Sequence, residues 1–145
     1  MKQLYLFATL AGARVAIAAD EMEAVVRLAD IAPVPGLGAH VAGLSALRSR
    51  VLTVLDIAAL IYGTPSSSER RPLAVIAEIG GHGYALMVEG VSDICRAPGG
   101  ELPLRGQLDP AWRPYARAIV EHDGVPWLLV SPAALLENSA VDQAA

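Results

Sequence analysis

LYLFATLAGARVAIAADEMEAVV, residues 4–26, lies without a gap over LAVIAEIGGHGYALMVEGVSDIC, residues 73–95. Leu6 falls on Val75, Phe7 on Ile76, Leu10 on Ile79 and Gly12 on Gly81. Ile17 then falls on Leu86, Asp20 on Glu89, Met22 on Val91 and Val25 on Ile94. Further on, residues 44–61 lie over 119–136, with Leu52 on Trp127, Val54 on Leu129 and Leu60 on Leu135. Self-similarity of this kind marks two related small modules, each covering part of the other's core. It favours a two-lobed scaffold over an enzyme grown around one cleft.

The copies are short apolar runs broken by turn residues. Residues 4–10 and 14–19 are joined at Ala11-Gly12-Ala13, and residues 73–79 and 84–89 at Gly80-Gly81-His82-Gly83. Residues 116–121 and 125–130 are joined through Asp123-Gly124, the strongest hairpin signal, because glycine accepts the positive φ of a type I′ turn. Residues 41–47 and 50–55 are further strands. Residues 21–28 and 90–95 each follow an acidic residue and are ambiguous between strand and a helical turn leading into one. Asp56 can cap a helix over 57–62 that Gly63 ends. Ser131 can cap a second, with Pro132 at its first position, running to about Glu137. Many short strands with Gly/Pro turns predict an all-β pair of small barrels carrying short helices.

TPSSSERRP, residues 64–72, has linker composition and falls between the copies. The expectation is a single domain over 1–137 made of two subdomains, about 1–63 and 73–137, with a frayed tail at 138–145. Pro/Gly loops at 33–38 and 98–103 occupy similar places in the two halves. Met1-Lys2 followed by the apolar run 4–10 and Ala11-Gly12-Ala13 imitates a secretory leader. The mate of that run at 73–79 lies mid-chain, which decides for a strand.

The 145 residues suffice for one compact domain or two small lobes. A chain this long buries roughly 68–70% of its unfolded surface and needs no staple. Apolar residues make up 54% and mean hydropathy is +0.44, yet only 5% is aromatic, so the core is mostly aliphatic. Net charge is −4. Residues 1–63 balance five Lys/Arg against five Asp/Glu, whereas residues 73–145 carry four Arg against nine acids. Nothing here attracts a phosphate backbone, which argues against nucleic acid as partner. The single cysteine, Cys95, excludes a disulfide framework, fits a reducing compartment and reads as a buried small hydrophobe. No apolar run reaches the ~18 residues of a membrane span, so no direct insertion is expected.

Residues 41–57, VAGLSALRSRVLTVLDI, resemble the hallmark segment of CheW-like domains. There a Gly is followed by Asn-Leu-Arg-Gly, a strand, Pro, and Asp-Leu before a helix. Residues 89–94, EGVSDI, resemble the family's second-half segment, with its acidic residue, Val and Asp. The opening strand–hairpin–strand and the closing Leu-Leu helix agree, so the resemblance runs from about Gln3 to Glu137. It implies two tandem five-stranded, SH3-like β-barrel subdomains with a groove between them. It also implies a non-catalytic, cytoplasmic adaptor without cofactor or metal, recruited to membrane receptor arrays through its partners. Those partners would be the cytoplasmic signalling tip of a chemoreceptor and the regulatory domain of a CheA-type histidine kinase, in chemotaxis or motility signalling. The sequence departs from the motif at Ala46, Ser49 and Thr53, where the family has Asn, Gly and Pro; Arg48 and Asp56 are retained. Many members place a Glu near Ala24 to pair with that Arg. Here Glu23 is one step off, which on a strand turns it to the other face. A divergent scaffold that binds a kinase or other signalling protein but no chemoreceptor is the alternative.

By this resemblance the partner-binding residues are Arg48, Leu47 beside it, and Val25, Arg27 and Leu28 on the strand that faces receptor tips. Arg48 can equally lay its stem on a neighbouring strand, and Val25, Val26 and Leu28 can be plain core. Asp56 is explained fully as an N-cap. His40, His82 and His122 lack metal-ligand spacing, and the last two read as solvated turn residues. Ser45, Ser92 or Ser131 with such a histidine evokes a hydrolase, but no G-x-S-x-G elbow is present. Gly80–Gly83 lacks the Lys-Ser/Thr of a phosphate loop. A small-barrel enzyme is therefore the remote alternative. Trp127 reads as core, and Trp112 as a cover over a barrel end.

Overall fold

The computed structural model describes residues 3–36, 38, 40–64, 71–104 and 109–137. The expected tail from 138 and most of the expected linker, 65–70, lie outside the described residues. In the first half the strands are β1 (Leu4–Leu10), β2 (Ala13–Ala18), β3 (Ala24–Arg27), β4 (Val41–Leu47) and β5 (Arg50–Leu55). In the second they are β6 (Leu73–Ile79), β7 (His82–Val88), β8 (Gly90–Arg96), β9 (Glu101–Leu102), β10 (Ala116–His122) and β11 (Val125–Val130). Helices α1 (Ile57–Tyr62) and α2 (Pro132–Glu137) close the halves, and 3-10 turns lie at Ala19–Glu21 and Pro110–Trp112.

Local signals act as their chemistry dictates. The Asp56 carboxylate accepts the Ala59 N–H at 3.2 Å, and the Ser131 hydroxyl accepts the Ala134 N–H at 3.4 Å. Gly63 ends α1 in the left-handed conformation at φ 75°. Asp123 and Gly124 turn at φ 55° and 73°, as a type I′ hairpin requires. Of the ambiguous segments, the first carries a 3-10 turn and then the short β3, and the second is strand throughout. Gly80 and Gly81 alone turn β6 into β7, so His82 and Gly83 belong to the strand.

The strands form a six-stranded sheet, β8-β1-β2-β11-β10-β9, and a five-stranded sheet, β3-β6-β7-β5-β4. Neighbours are antiparallel except β2·β11 and β5·β7, which run parallel. Each sheet closes on itself through the chain that follows its edge strand. After β3, Ala32 exchanges backbone hydrogen bonds with Leu44 of β4 at 2.8 and 2.9 Å. After β8, Leu102 of β9 pairs with Ile119 of β10, the repeat mate of Leu44. The bulge between Val41 and Gly43 recurs between Ala116 and Ala118, and β5 and β11 share one burial pattern.

The lobes are not the two halves of the sequence, and this corrects the expected division at 1–63 and 73–137. The six-stranded barrel takes β1 and β2 from the first half and the rest from the second; the five-stranded barrel takes β6 and β7 from the second half and the rest from the first. The halves have exchanged their leading hairpins. The cause is local: only Glu89 separates β7 from β8. One residue cannot reverse a strand into a hairpin. The chain therefore continues onto β1, fixed by the Glu89 N–H donating to the Thr9 carbonyl at 2.9 Å. On the other side the Glu23 N–H donates to the Ile76 carbonyl at 2.7 Å and sets β3 beside β6.

Burial follows from this exchange. Tyr5, Phe7, Ala16, Ala18, Trp127 and Leu129 fill the six-stranded barrel. Leu28, Leu52, Val54, Ala74, Ile76 and Ala85 fill the five-stranded one. Alternate residues of the same strands, among them Leu6, Ile17, Val75 and Leu86, meet between the barrels with Leu55, Ile57, Trp112, Val130 and Leu135. The exchanged strands are thus buried on both faces, which explains the continuous apolar runs that opened the repeat. Each such side chain contributes roughly 1.5–3 kcal/mol. Trp112, buried at 1% exposure, covers the shared core, and its indole N–H donates to the Tyr62 hydroxyl at 2.8 Å. No helix among the described residues is long and apolar enough to cross a membrane.

Candidate functional site

The β4–β5 hairpin meets β3 and β6 at a corner of the five-stranded barrel. Leu47 pairs with Arg50, leaving Arg48 and Ser49 as a two-residue loop. Arg48 carries the positive φ there, 57°, a conformation that costs an L side chain roughly 1–2 kcal/mol. It is exposed, and among the described residues no hydrogen bond or ion pair engages its guanidinium. A depression of about 320 Å³ lies beneath it, lined by Leu47, Arg48, Ser49, Arg50, Ala24 and Val26, with Glu23 and Ile76 at its sides.

Arg50 donates to a Glu23 carboxylate oxygen at 2.8 Å and lies 3.6 Å from Glu78. These pairs are more than a third exposed, so each is worth at most about 1 kcal/mol. They orient the corner rather than hold the fold. Glu23 does not pair with Arg48, because it precedes β3 and reaches the strand end of the hairpin rather than its tip. The corner is therefore an apolar floor, a balanced rim and one outward guanidinium. That arrangement suits a planar fork contact with carboxylates or carbonyls of another protein.

The structure brings together only some of the residues named from sequence. Arg48 and Leu47 line the depression. Val25 turns instead to the core between the barrels. Arg27 is exposed but lies away from the depression, donating to the Arg71 carbonyl at 3.0 Å. Leu28 is 2% exposed inside the five-stranded barrel, so as a direct contact it is corrected to a core residue. Strand parity explains the pattern, since Ala24 and Val26 share the face opposite Val25. Arg50 and Ile76 were missed, and Glu23, weighed from sequence only as a poor partner for Arg48, pairs with Arg50 instead. Parity from Ala24 would have found Val26, but nothing in the sequence joins Arg50 to Glu23.

Other candidates are occupied differently. Ser45 is buried and its hydroxyl donates to the Ala29 and Asp30 carbonyls at 3.4 and 3.5 Å. His82 is exposed in β7 and bonded to the Thr53 hydroxyl at 2.9 Å. His40 is buried, and burial holds its imidazole below the usual value. His122 is not a solvated turn residue: its ring stacks on Phe7 at 4.2 Å, with the side chain 14% exposed. Cys95 is half-buried rather than fully buried, and burial followed by the Asp93 charge pushes its thiol pKa up.

A family model described as a CheW-like domain matches residues 4–140. No curated protein matches the chain. Its fold is similar to that in the crystal structure of the scaffolding protein TtCheW from Thermoanaerobacter tengcongensis, with a TM-score of 0.76 over 94% of either chain at 18% identity.

Proposed function

Since the chain belongs to the CheW-like domain family, we propose that it is a non-catalytic adaptor coupling chemoreceptors to a CheA-type histidine kinase. The observation that carries this is the β3/β4–β5 corner, where a strained, outward Arg48 stands over an apolar floor. A receptor signalling tip would dock there, with Arg48 and Leu47 as contacts. The kinase regulatory domain, built from like barrels, would dock on the six-stranded barrel. Its edge strand β8 leaves Val91 and Ile94 exposed. Such an edge can add a matching barrel through backbone and apolar contacts. Signal would pass through partner position, with no bond made or broken by this chain. Work in the cytoplasm at receptor arrays follows from that role.

Calorimetric titration with a cognate CheA regulatory domain, followed by a receptor signalling fragment, tests the proposal. Binding to both, with Arg48→Glu weakening only the receptor step, is the expected result. Binding to neither removes the functional assignment and leaves the fold untouched. The alternative is a divergent scaffold that holds a kinase but no receptor. It is favoured by one observation, that Ala24 offers no carboxylate and Glu23 is committed to Arg50. Kinase binding alone would establish it.

A further inference from the structure

A second cluster lies at the six-stranded barrel, far in sequence from the β4–β5 corner. Asp93 and Cys95 are two apart on β8 and share a face. His122, at the end of β10, swings onto them across the barrel opening. We infer that Cys95, His122 and Asp93 bind a soft divalent transition-metal ion, of which zinc fits best.

The geometry carries this. One donor atom from each of the three residues lies within 4.8 Å of the others. The Cys95 Sγ stands 3.6 Å from His122 Nδ1. A tetrahedral zinc with bonds of about 2.3 Å to sulfur and about 2.0–2.1 Å to nitrogen separates those ligands by roughly 3.5 Å. The spacing is therefore that of two ligands on one ion. The imidazole is already oriented, because Phe7 stacks on its face with an interplanar angle of 12°. Its far nitrogen, Nε2, meets the carboxylates of Asp93 at 3.4 Å and Asp123 at 3.5 Å. A carboxylate on one ring nitrogen fixes the proton there and turns the lone pair of the other toward a metal. With the ion in place, Asp93 moves to it as third ligand and Asp123 keeps Nε2. Asp93 and His122 also line a shallow depression with Thr9, Arg14, Ser92 and Val125, through which a solvent ligand could reach the ion. Thiolate and imidazole together select zinc or cobalt over calcium or magnesium. The ion would tie edge strand β8 to the β10–β11 hairpin.

The simpler account is a thiol–imidazole–carboxylate hydrogen-bond chain with no ion, and experiment separates the two. The reduced, chelator-treated full chain is titrated with Co²⁺. A saturable thiolate-to-cobalt charge-transfer absorption at equimolar metal, displaced by Zn²⁺, is expected. It should vanish in Cys95→Ser and in His122→Gln, and Asp123→Asn should weaken affinity about tenfold. In the unmutated chain, where Cys95 is the sole thiol, Zn²⁺ should slow maleimide labelling. This second readout does not depend on whether a variant folds. No charge-transfer absorption, a signal that survives His122→Gln, or labelling indifferent to Zn²⁺ would overturn the inference.

Discussion

Arg48 occupies the left-handed region at φ 57°, and its repeat mate Asp123 does so at φ 55°. Asp tolerates that conformation through local hydrogen bonds, whereas Arg gains nothing from it. Strain kept at an exposed tip points to a role for the side chain. Arg48→Gly should therefore raise stability by roughly 0.5 kcal/mol in urea melts while receptor-fragment affinity falls at least tenfold. A variant that loses stability would make Arg48 structural. His40 supplies a pH signature. It is buried, its Nε2 has no hydrogen-bond partner among the described residues, and burial lowers its pKa from 6.5. The unfolded chain therefore takes up the proton first as pH falls. Stability due to this group is complete above pH 6.5 and is lost as pH drops through the lower folded value. His40→Gln should shrink the Tm difference between pH 7.5 and pH 5.5, read by scanning calorimetry. An unchanged difference would place the acid sensitivity elsewhere.

At the scale of elements, the bulge in β4 shows how one glycine closes a barrel. Gly43 sits at φ 146°, and a Cβ there would fall on the Ala32 carbonyl and within 2.9 Å of Ile31 Cγ2. That carbonyl accepts the Leu44 N–H that joins the chain following β3 to β4. Gly43→Ala must push this closure apart, costing at least about 2 kcal/mol. A change below 0.5 kcal/mol in denaturant midpoint analysis would show that the closure yields cheaply. Most elements were legible in the sequence because their causes are local. Asp56 and Ser131 find their N–H groups within three residues, and Asp123-Gly124 sets its own turn. The two-residue β9 was not legible, since Glu101 and Leu102 become strand only by meeting Val120 and Ile119. The candidate site was legible at Arg48 and Leu47, and illegible at Arg50. Its partner Glu23 is 27 residues away, and the segment between them had to be folded first.

For the whole molecule, the exchanged hairpins make a prediction about autonomy. If each barrel borrows two strands, neither half folds alone. Fragments 1–64 and 71–145 should each give collapsed amide NMR spectra. Mixed, they should recover a dispersed spectrum like that of the intact chain. A dispersed spectrum from 1–64 by itself would refute the exchange. The sequence by itself determined the repeat, the strand runs, the caps, the turns and the family resemblance. Each of these rests on neighbours within a few residues or on copies that can be laid over one another. Only the tertiary structure decided which copy packs with which. The leading hairpins are apolar on both faces, so the hydrophobic pattern alone does not say which barrel each enters. The choice falls to a one-residue connector at Glu89 and a backbone bond from Glu23. The same long-range choice buried Leu28, paired Arg50 with Glu23, and carried His122 onto Cys95.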